Sequence, residues 1–279
     1  MSPDPIDLHH QGTERVIGSY LVETRDGLAI FDCGPASGLD ALRAGLRERG
    51  AELGDVRHLL LSHIHLDHAG AAGAIVREHT HVTVHVSEVG APHLVDPSRL
   101  ERSARRLYGD DFDRLWGELA PVPEENVHTV GDRVLGFECF PSPGHASHHV
   151  CYVGSDGTLY AGDAAGVRIQ PSAFVLPPTP PPEVDLEAWE RTLDEIEARR
   201  PERLSLIHFG VADDVERHLG ELRLRLREWA DRVRDGASED EFEAAAAADL
   251  GTGREAYEQA MPFWQSYAGL KRYWEKRAA

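Results

Sequence analysis

The stretch that decides the fold is His63-Ile64-His65-Leu66-Asp67-His68, which directly follows the apolar run Leu59-Leu60-Leu61 and Ser62. Histidine is the commonest metal ligand in proteins because its neutral ring nitrogen is a good donor near pH 7. Imidazole and carboxylate together suit zinc, iron or manganese rather than calcium. An apolar strand that ends in such a cluster predicts a metal site in the loop that follows. A solvated, histidine-rich turn is the alternative.

Three further residues of the same chemical type follow short apolar or β-rich runs. His145 ends Ser142-Pro143-Gly144-His145, Asp163 ends Tyr160-Ala161-Gly162-Asp163, and His208 ends Ser205-Leu206-Ile207-His208. Taken singly, a histidine after a strand is more often structural or solvated, and an aspartate after a glycine is usually a turn residue. Together with the hexapeptide they favour one shared metal site.

This set resembles the ligands of the metallo-β-lactamase superfamily of hydrolases, and the resemblance extends from residue 12 to residue 212. It implies that one metal is held by His63, His65 and His145, that a second is held by Asp67, His68 and His208, and that Asp163 bridges the two. It also implies that Asp32 and His149 support the ligands from behind. Such carboxylates orient a ligating imidazole and raise its basicity.

The resemblance implies two divalent metal ions, with zinc first and iron or manganese as alternatives. Two such ions produce hydroxide from water at neutral pH, and Asp67 is the implied catalytic residue that orients it. The segment Pro143–His149 is similar to the glyoxalase II and lactonase-like branches, which favours a small ester, thioester or lactone as substrate. The alternatives are a phosphodiester hydrolase, an iron-dependent sulfur dioxygenase or other oxidoreductase, and a metal-bound sensor with little turnover.

The order of predicted elements alternates between strands and helices, which by itself indicates an α/β protein. The resemblance specifies a four-layer αββα sandwich in residues 1–211 with a helical insertion at about 88–126. Residues 212–279 are predicted to form a helical C-terminal extension. In this extension apolar residues recur at steps of four and three, which predicts a seam that packs either on the sandwich or against a second copy of the chain. Its members are Val215, Leu219, Leu222, Leu226, Trp229 and Val233.

Composition limits the partners and the compartment. The net charge of −19 argues against nucleic acid, because phosphate binding needs a basic surface. No apolar run approaches the length of a membrane-spanning helix, and Met1–Gln11 has no apolar core typical of a secretory signal. Cys33, Cys139 and Cys151 lack zinc-ribbon spacing and are interpreted as reduced thiols. We therefore expect a cytoplasmic enzyme with a small-molecule substrate.

Three residues are candidates for contact with that substrate. His93 and Tyr108 lie in the insertion between the first two motifs, where they could form part of a pocket wall. Arg168 follows Asp163 closely enough to point a guanidinium at a carboxylate or phosphate. For each of the three, a surface, packing or ion-pair role is the alternative.

Overall fold

Two six-stranded β-sheets form the centre of the computed structural model, which describes residues 4–278. The first sheet contains, in spatial order, β1 (Ile6–Asp7), β2 (Gly18–Thr24), β3 (Gly27–Phe31), β4 (Val56–Leu60), β5 (Thr83–Val86) and β6 (Val127–Thr129). The second contains β7 (Arg133–Val134), β8 (Phe137–Pro141), β9 (Val150–Val153), β10 (Thr158–Tyr160), β11 (Arg203–Leu206) and β12 (Gly210–Ala212). The first three residues of the predicted Met1–Gln11 segment, and residue 279, lie outside the described residues.

The helices of the described chain occupy the connections and the C-terminal region. They are α1 (Leu39–Glu48), α2 (Leu66–Ala69), α3 (Ala72–Glu78), α4 (Ala91–Val95), α5 (Ser98–Tyr108), α6 (Phe112–Trp116), α7 (Leu186–Arg199), α8 (Val215–Arg234), α9 (Glu239–Leu250), α10 (Arg254–Ala260) and α11 (Phe263–Ala278). The prediction of an αββα sandwich with a helical C-terminal region is confirmed. Asp185 caps α7 as predicted, since its side chain accepts a hydrogen bond of 2.9 Å from the Ala188 amide.

Parallel pairing brings the ends of several strands to one edge of the molecule. Strands β3 to β6 pair parallel in the first sheet, and β10 pairs parallel with β11 in the second. Parallel strands are buried on both faces, which is why Leu59, Leu60 and Leu61 form a continuous apolar run that is fully buried. The polar motifs therefore fall beyond the carboxyl ends of β4, β10 and β11, where the chain leaves the sheets.

The chain turns sharply between α2 and α3. The two helices are separate because Gly70 and Ala71 lie in the turn between them. Gly70 lies so close to the Pro35 and Leu66 backbones that an added Cβ would be 2.4 Å from the Leu66 carbonyl oxygen. The short strands β1, β6 and β12 were not predicted, since two or three residues carry no readable periodicity.

The seam on α8 packs inside the chain. Leu219, Leu222 and Leu226 join one apolar cluster with α7 and the second sheet, and Trp229 and Val233 join the main core. Trp229 is fully buried and its ring packs edge-on against Phe242 and Phe263 of the following helices. This seam is therefore covered by other parts of the same chain, which agrees with packing inside the chain and not against a second copy.

The sequence also predicts reduced thiols and no membrane-spanning helix. Cys33, Cys139 and Cys151 are buried and unpaired. Among residues 4–278, no helix combines the length and the apolar character that crossing a bilayer demands.

A buried histidine on α8 makes the stability of the fold sensitive to acid. The His218 ring donates from Nε2 to the Ala165 carbonyl oxygen at 2.7 Å, and burial lowers its pKa from 6.5 to about 4. The unfolded chain binds a proton at His218 below about pH 6.5, whereas the folded chain binds it only below about pH 4. The stability contributed by the neutral ring is therefore present at pH 7 and is lost progressively as the pH falls through this window.

We expect His218→Gln, which keeps a donor for the Ala165 carbonyl, to reduce this acid sensitivity. Between pH 7 and pH 5 the variant should lose about 2 kcal/mol less unfolding free energy than the parent protein. Urea unfolding of both proteins at the two pH values measures the difference. Equal losses would show that the buried ring is not held neutral.

Candidate metal centre

The hexapeptide lies where β4 leaves the first sheet. His63 and His65 occupy the loop, and His65 is the last extended residue before α2, with φ −62° and ψ 154°. Asp67 and His68 follow in the single turn of α2. This change from extended to helical backbone turns all four polar side chains toward one point instead of alternating them across a strand.

The other predicted ligands reach the same point from the second sheet. His145 lies in the loop between β8 and β9, Asp163 in a short 3₁₀ turn after β10, and His208 between β11 and β12. Ligand atoms within 4.8 Å of one another form three groups: His63, His65 and His145; His63, His68 and Asp163; and Asp67, His68 and His208. The first and third groups coincide with the two predicted metal sites.

Asp163 lies between those two groups. Its Oδ2 is 3.3 Å from His145 Nε2, while its Oδ1 is 3.4 Å from His68 Nε2 and 3.6 Å from His208 Nε2. Each carboxylate oxygen thus faces a different group, which is the arrangement that a bridging ligand requires. The side chain is 1% exposed, so these contacts are almost fully buried.

Buried atoms without hydrogen-bond partners provide a test of whether a metal fits. His63 Nε2, His68 Nε2, His208 Nε2 and Asp163 Oδ1 are buried and make no hydrogen bond within the described residues. Leaving a buried polar atom unpaired costs about 1–3 kcal/mol, so several in one place need an explanation. Divalent cations bound among them would satisfy all of these lone pairs. The residues present therefore fit the metals that the sequence implies.

The electrostatics separate neutral ligands from charged ones. Burial and the neighbouring imidazoles hold the pKa of His63 and His65 well below the usual value, so both rings are neutral donors. Burial alone would lower the pKa of His68, but the carboxylates of Asp163 and Asp67 raise it well above the usual range. The same carboxylates favour a metal cation at this ring in place of a proton.

Hydrogen bonds behind the ligands fix which ring nitrogen faces the centre. The Nδ1 of His68 lies 2.8 Å from Asp32 Oδ2, and the Nδ1 of His145 lies 2.8 Å from the Pro178 carbonyl oxygen. The Nδ1 of His208 lies 2.5 Å from the Val16 carbonyl oxygen. Each contact turns Nε2 toward the centre, where His145 Nε2 lies 2.9 Å from His65 Nδ1, and outer partners orient metal-binding imidazoles in this way.

Asp32 and His149, the predicted supporting residues, both lie directly behind the ligands. Asp32 accepts hydrogen bonds from the Ser62 amide and the Ser62 hydroxyl, each at 2.7 Å, in addition to its contact with His68. His149 accepts a hydrogen bond of 3.1 Å from the Asp163 amide through Nε2, and its Nδ1 lies 2.7 Å from Ser142 Oγ. His149 therefore positions the backbone of Asp163 and does not face the centre.

We expect Asp32→Asn to weaken metal binding by about 10- to 100-fold, because the amide cannot hold both Ser62 and the His68 ring as the carboxylate does. Competition with a chromogenic chelator measures the affinity. Asp26→Asn, at an exposed aspartate in the turn between β2 and β3, is the matched control. An Asp32→Asn protein with the affinity of this control would show that Asp32 only caps the strand.

A cavity of about 470 Å³ opens onto the centre, with His65, Asp67 and Asp163 in its lining. Tyr108 lines it too, as predicted from its place in the insertion, and its hydroxyl pairs with the Gln265 side chain. Burial and the nearby Asp67 charge raise the pKa of this tyrosine above its usual range. Tyr108 is therefore a neutral hydroxyl beside the centre.

The other two candidate substrate contacts lie elsewhere. His93 does not line the cavity and lies near Glu183 and His148 instead. The Arg168 guanidinium also lies outside the lining, since it forms an ion pair of 2.5 Å with Asp214. The position of Arg168 was predicted from its distance to Asp163 along the chain, whereas its partner is supplied by the loop before α8.

His10 and Trp116, which were not predicted as site residues, form part of the cavity wall. Their rings stack with centroids 5.4 Å apart and an interplanar angle of 21°. Burial lowers the pKa of His10 to about 4, so the ring that faces the cavity is neutral. His10 precedes the first predicted strand in a short polar segment with no periodicity, and no sequence signal marked it.

A family model described as the metallo-beta-lactamase superfamily matches residues 12–208, well over half of the chain. The chain belongs to the metallo-beta-lactamase superfamily. Most members are hydrolases and some are oxidoreductases. The family and the side-chain clusters together indicate divalent metal ions as cofactors without distinguishing zinc from iron.

Curated relatives are similar over part of their length. The probable metallo-hydrolase Rv2300c of Mycobacterium tuberculosis is 28% identical over an alignment of 200 residues, and the match covers 57% of this chain and 63% of that protein. The type A flavoprotein fprA of Rhodobacter capsulatus is 26% identical over 148 residues, which are 53% of this chain and 31% of that protein. The chain thus spans less than two thirds of the length of these relatives.

Solved structures share the fold over most of the chain. A metallo-beta-lactamase family protein of Thermus thermophilus has a TM-score of 0.69 at 21% identity, covering 94% of this chain and 89% of that one. A superfamily protein of Sulfolobus tokodaii has a TM-score of 0.67 at 20% identity, covering 96% and 95%. TTHA1623 in a di-iron-bound form has a TM-score of 0.54 at 24% identity, covering 75% and 92%. The first two include the C-terminal helices in the shared fold.

Proposed function

We propose that the protein is a dinuclear metal-dependent hydrolase of a small ester, thioester or lactone, with zinc as the first candidate metal. The observation that carries the proposal is the position of Asp163, with one oxygen toward each of two ligand groups at the base of a cavity. The residues that would hold the ions are His63, His65 and His145 for one, Asp67, His68 and His208 for the other, and Asp163 for both. When bound, such ions lower the pKa of water toward 7 and polarise a carbonyl oxygen.

Asp67 is the residue placed to orient the attacking water. Its Oδ2 lies 3.3 Å from His208 Nε2 and 3.6 Å from His68 Nε2, and its side chain is 14% exposed where it lines the cavity. The neighbouring imidazoles of His68 and His208 outweigh the effect of burial and hold the pKa of Asp67 well below its usual value. The carboxylate therefore accepts a hydrogen bond from water at any physiological pH.

In hydrolysis the water oxygen bonds to the carbonyl carbon. The bond from that carbon to the oxygen or sulfur of the leaving group breaks, and the proton lost by water passes to the leaving group. Asp67 lies on the cavity side of the ligands, where its carboxylate can accept a hydrogen bond from that water. The Tyr108 hydroxyl, neutral in the same cavity, is a further hydrogen-bond donor.

A second candidate function is that of a di-iron oxidoreductase. The similarity to a type A flavoprotein and to a structure in a di-iron-bound form favours it. Imidazole and carboxylate ligands suit iron as well as zinc, so the donor set alone does not separate the two. A phosphodiester hydrolase and a low-turnover sensor are the remaining alternatives, and the acidic net charge of −19 does not favour a polyanionic substrate.

Metal analysis combined with a substrate panel tests these proposals. The untagged protein, purified without added metal, is analysed and assayed with an ester, a thioester, a lactone and a phosphodiester, with and without a chelator. We expect two zinc ions per chain and chelator-sensitive hydrolysis of the carboxylic substrates. Bound iron with oxygen consumption and no hydrolysis would favour the oxidoreductase, and a fully loaded protein that turns over nothing would favour the sensor.

The cytoplasmic location, the small-molecule substrate and a homodimer through the helical regions remain proposals. Buried, unpaired thiols at Cys33, Cys139 and Cys151 support a reducing compartment. For the dimer, the surfaces available are the outer faces of α9 to α11, since the seam of α8 is occupied within the chain. Size-exclusion chromatography with light scattering measures the mass directly.

A further inference from the structure

The walls of the cavity above the metal ligands are apolar and come from outside the sandwich. Leu100, Ala104 and Leu107 line it from one face of α5, and Ala260 and Met261 line it from the end of α10. The prolines at 180–182 add a rigid third side. A substrate that was polar throughout would gain little from such walls, whereas an apolar group that covers them is stabilised because apolar surface is removed from water.

The same cavity carries two arginines that no carboxylate neutralises. Arg106 and Arg272 line it, are exposed, and have no salt-bridge partner among the described residues. Their neighbour Arg105 differs, because it pairs with Asp113 at 2.8 Å and with Glu101 at 2.9 Å. Arg106 therefore carries an unpaired positive charge, whereas the charge of Arg105 on the same helix is neutralised.

The carboxylates in the lining do not cancel these charges. Asp67 and Asp163 belong to the metal cluster, and Glu258 pairs with Arg254 at 2.6 Å. Because exposed charges within a low-dielectric recess attract ions of opposite sign, the cavity favours an anion although the whole chain is strongly acidic. Apolar walls and a basic rim therefore occur together in one recess.

We propose that the site takes an amphipathic anionic ester or thioester, in which the scissile carbonyl carries an extended apolar acyl group and a carboxylate or phosphate reaches Arg106 and Arg272. This inference rests on the proposed hydrolase function and specifies its substrate class. The acyl group covers the surface supplied by α5 and α10, and the guanidinium groups bind the anionic end. Leu100, Ala104, Arg106 and Arg272 become the residues that determine specificity.

The first experiment varies the length of the acyl group. Acetyl and octanoyl thioesters of N-acetylcysteamine, which carry no charge, are compared on the zinc-loaded protein. We expect kcat/KM to be higher for octanoyl by about tenfold or more, since the added methylenes cover the apolar walls. Ala104→Phe, which fills the recess, should remove this preference, measured as the ratio of the two kcat/KM values within the variant. Equal rates for both chain lengths in the parent protein would overturn the apolar half of the proposal.

The second experiment varies the charge at constant acyl length. Octanoyl-coenzyme A and octanoyl-N-acetylcysteamine share the scissile bond, but only the former carries phosphates. We expect octanoyl-coenzyme A to be preferred in kcat/KM and the double substitution Arg106→Ala with Arg272→Ala to lower that preference by about fivefold. The matched control is Arg105→Ala with Lys271→Ala, which removes adjacent charges that do not line the cavity. A preference that both double variants retain equally would overturn the anionic half.

A binding measurement separates failure of this inference from failure of the proposed function. Titration of the metal-loaded protein with octanoate and acetate, followed by tryptophan fluorescence that includes Trp116 in the cavity wall, requires no turnover. Tighter binding of octanoate than of acetate supports the apolar part of the site even if no thioester is hydrolysed. Metal-dependent hydrolysis of all thioesters without selectivity, and equal binding of octanoate and acetate, would leave a hydrolase and overturn the inference.

Discussion

Asp67→Ala is expected to lower kcat for the hydrolysed substrate by about 10³-fold, because it removes a ligand of one ion and the carboxylate that orients water. Asp67 is the member of the seven-residue set that combines contact with His68 and His208 and exposure to the cavity. The backbone of α2 does not depend on its side chain, so the fold should persist. Steady-state kinetics measure the rate, circular dichroism shows whether the fold persists, and metal analysis gives the number of bound ions.

The matched control for this substitution is Asp26→Ala, which removes an exposed carboxylate from a turn remote from the centre. It should retain the parental rate and metal content. Full activity in Asp67→Ala protein that is folded and metal-loaded would refute the orienting role. The hydroxide would then need a different acceptor in the cavity.

A second substitution with a large expected effect is Asp163→Ala, which should reduce both the metal content and the rate of hydrolysis. Removing this carboxylate withdraws an oxygen from each ligand group and leaves the His68, His145 and His208 rings facing one another. We expect fewer than one metal ion per chain after dialysis and a rate lowered by about 10³-fold or more, because both ions lose a shared anionic ligand. Metal analysis before and after dialysis and the kinetic assay give the two values.

Asp163→Asn separates loss of charge from loss of volume. The amide fills the same space and keeps one ligand oxygen, so we expect it to retain more metal than Asp163→Ala while remaining slow. If Asp163→Ala binds two ions as tightly as the parent protein, the carboxylate does not bridge. Thermal unfolding of both variants shows whether the fold has been preserved.

The metal ligands could be read from the sequence because their signal is local and chemical. Imidazoles and carboxylates directly after apolar strands have few other uses when several occur in one chain, and parallel pairing brings such strand ends together. The arrangement of the seven residues into two groups with Asp163 between them came from family resemblance, and the geometry agrees with it. Asp32 was found in the same way, because a carboxylate behind a ligand has a defined task.

The cavity could not be read from the sequence, because its walls are assembled by tertiary packing. The periodicity of α5 and of residues 254–278 shows that one face is apolar but not which surface covers it. The packing of α8 within the chain and the ion pair between Arg168 and Asp214 are likewise contacts between distant segments. His10 reaches the centre because β1 joins the first sheet, and a strand of two residues leaves no pattern to detect.

Titration of the metal-free, untagged protein with zinc, followed by the number of ions bound and by a crystal structure of the loaded form, tests the central claim most directly. We expect two tightly bound ions, one beside His63, His65 and His145 and one beside Asp67, His68 and His208, with Asp163 contacting both. Saturation at a single ion, or ions bound away from Asp163, would contradict it.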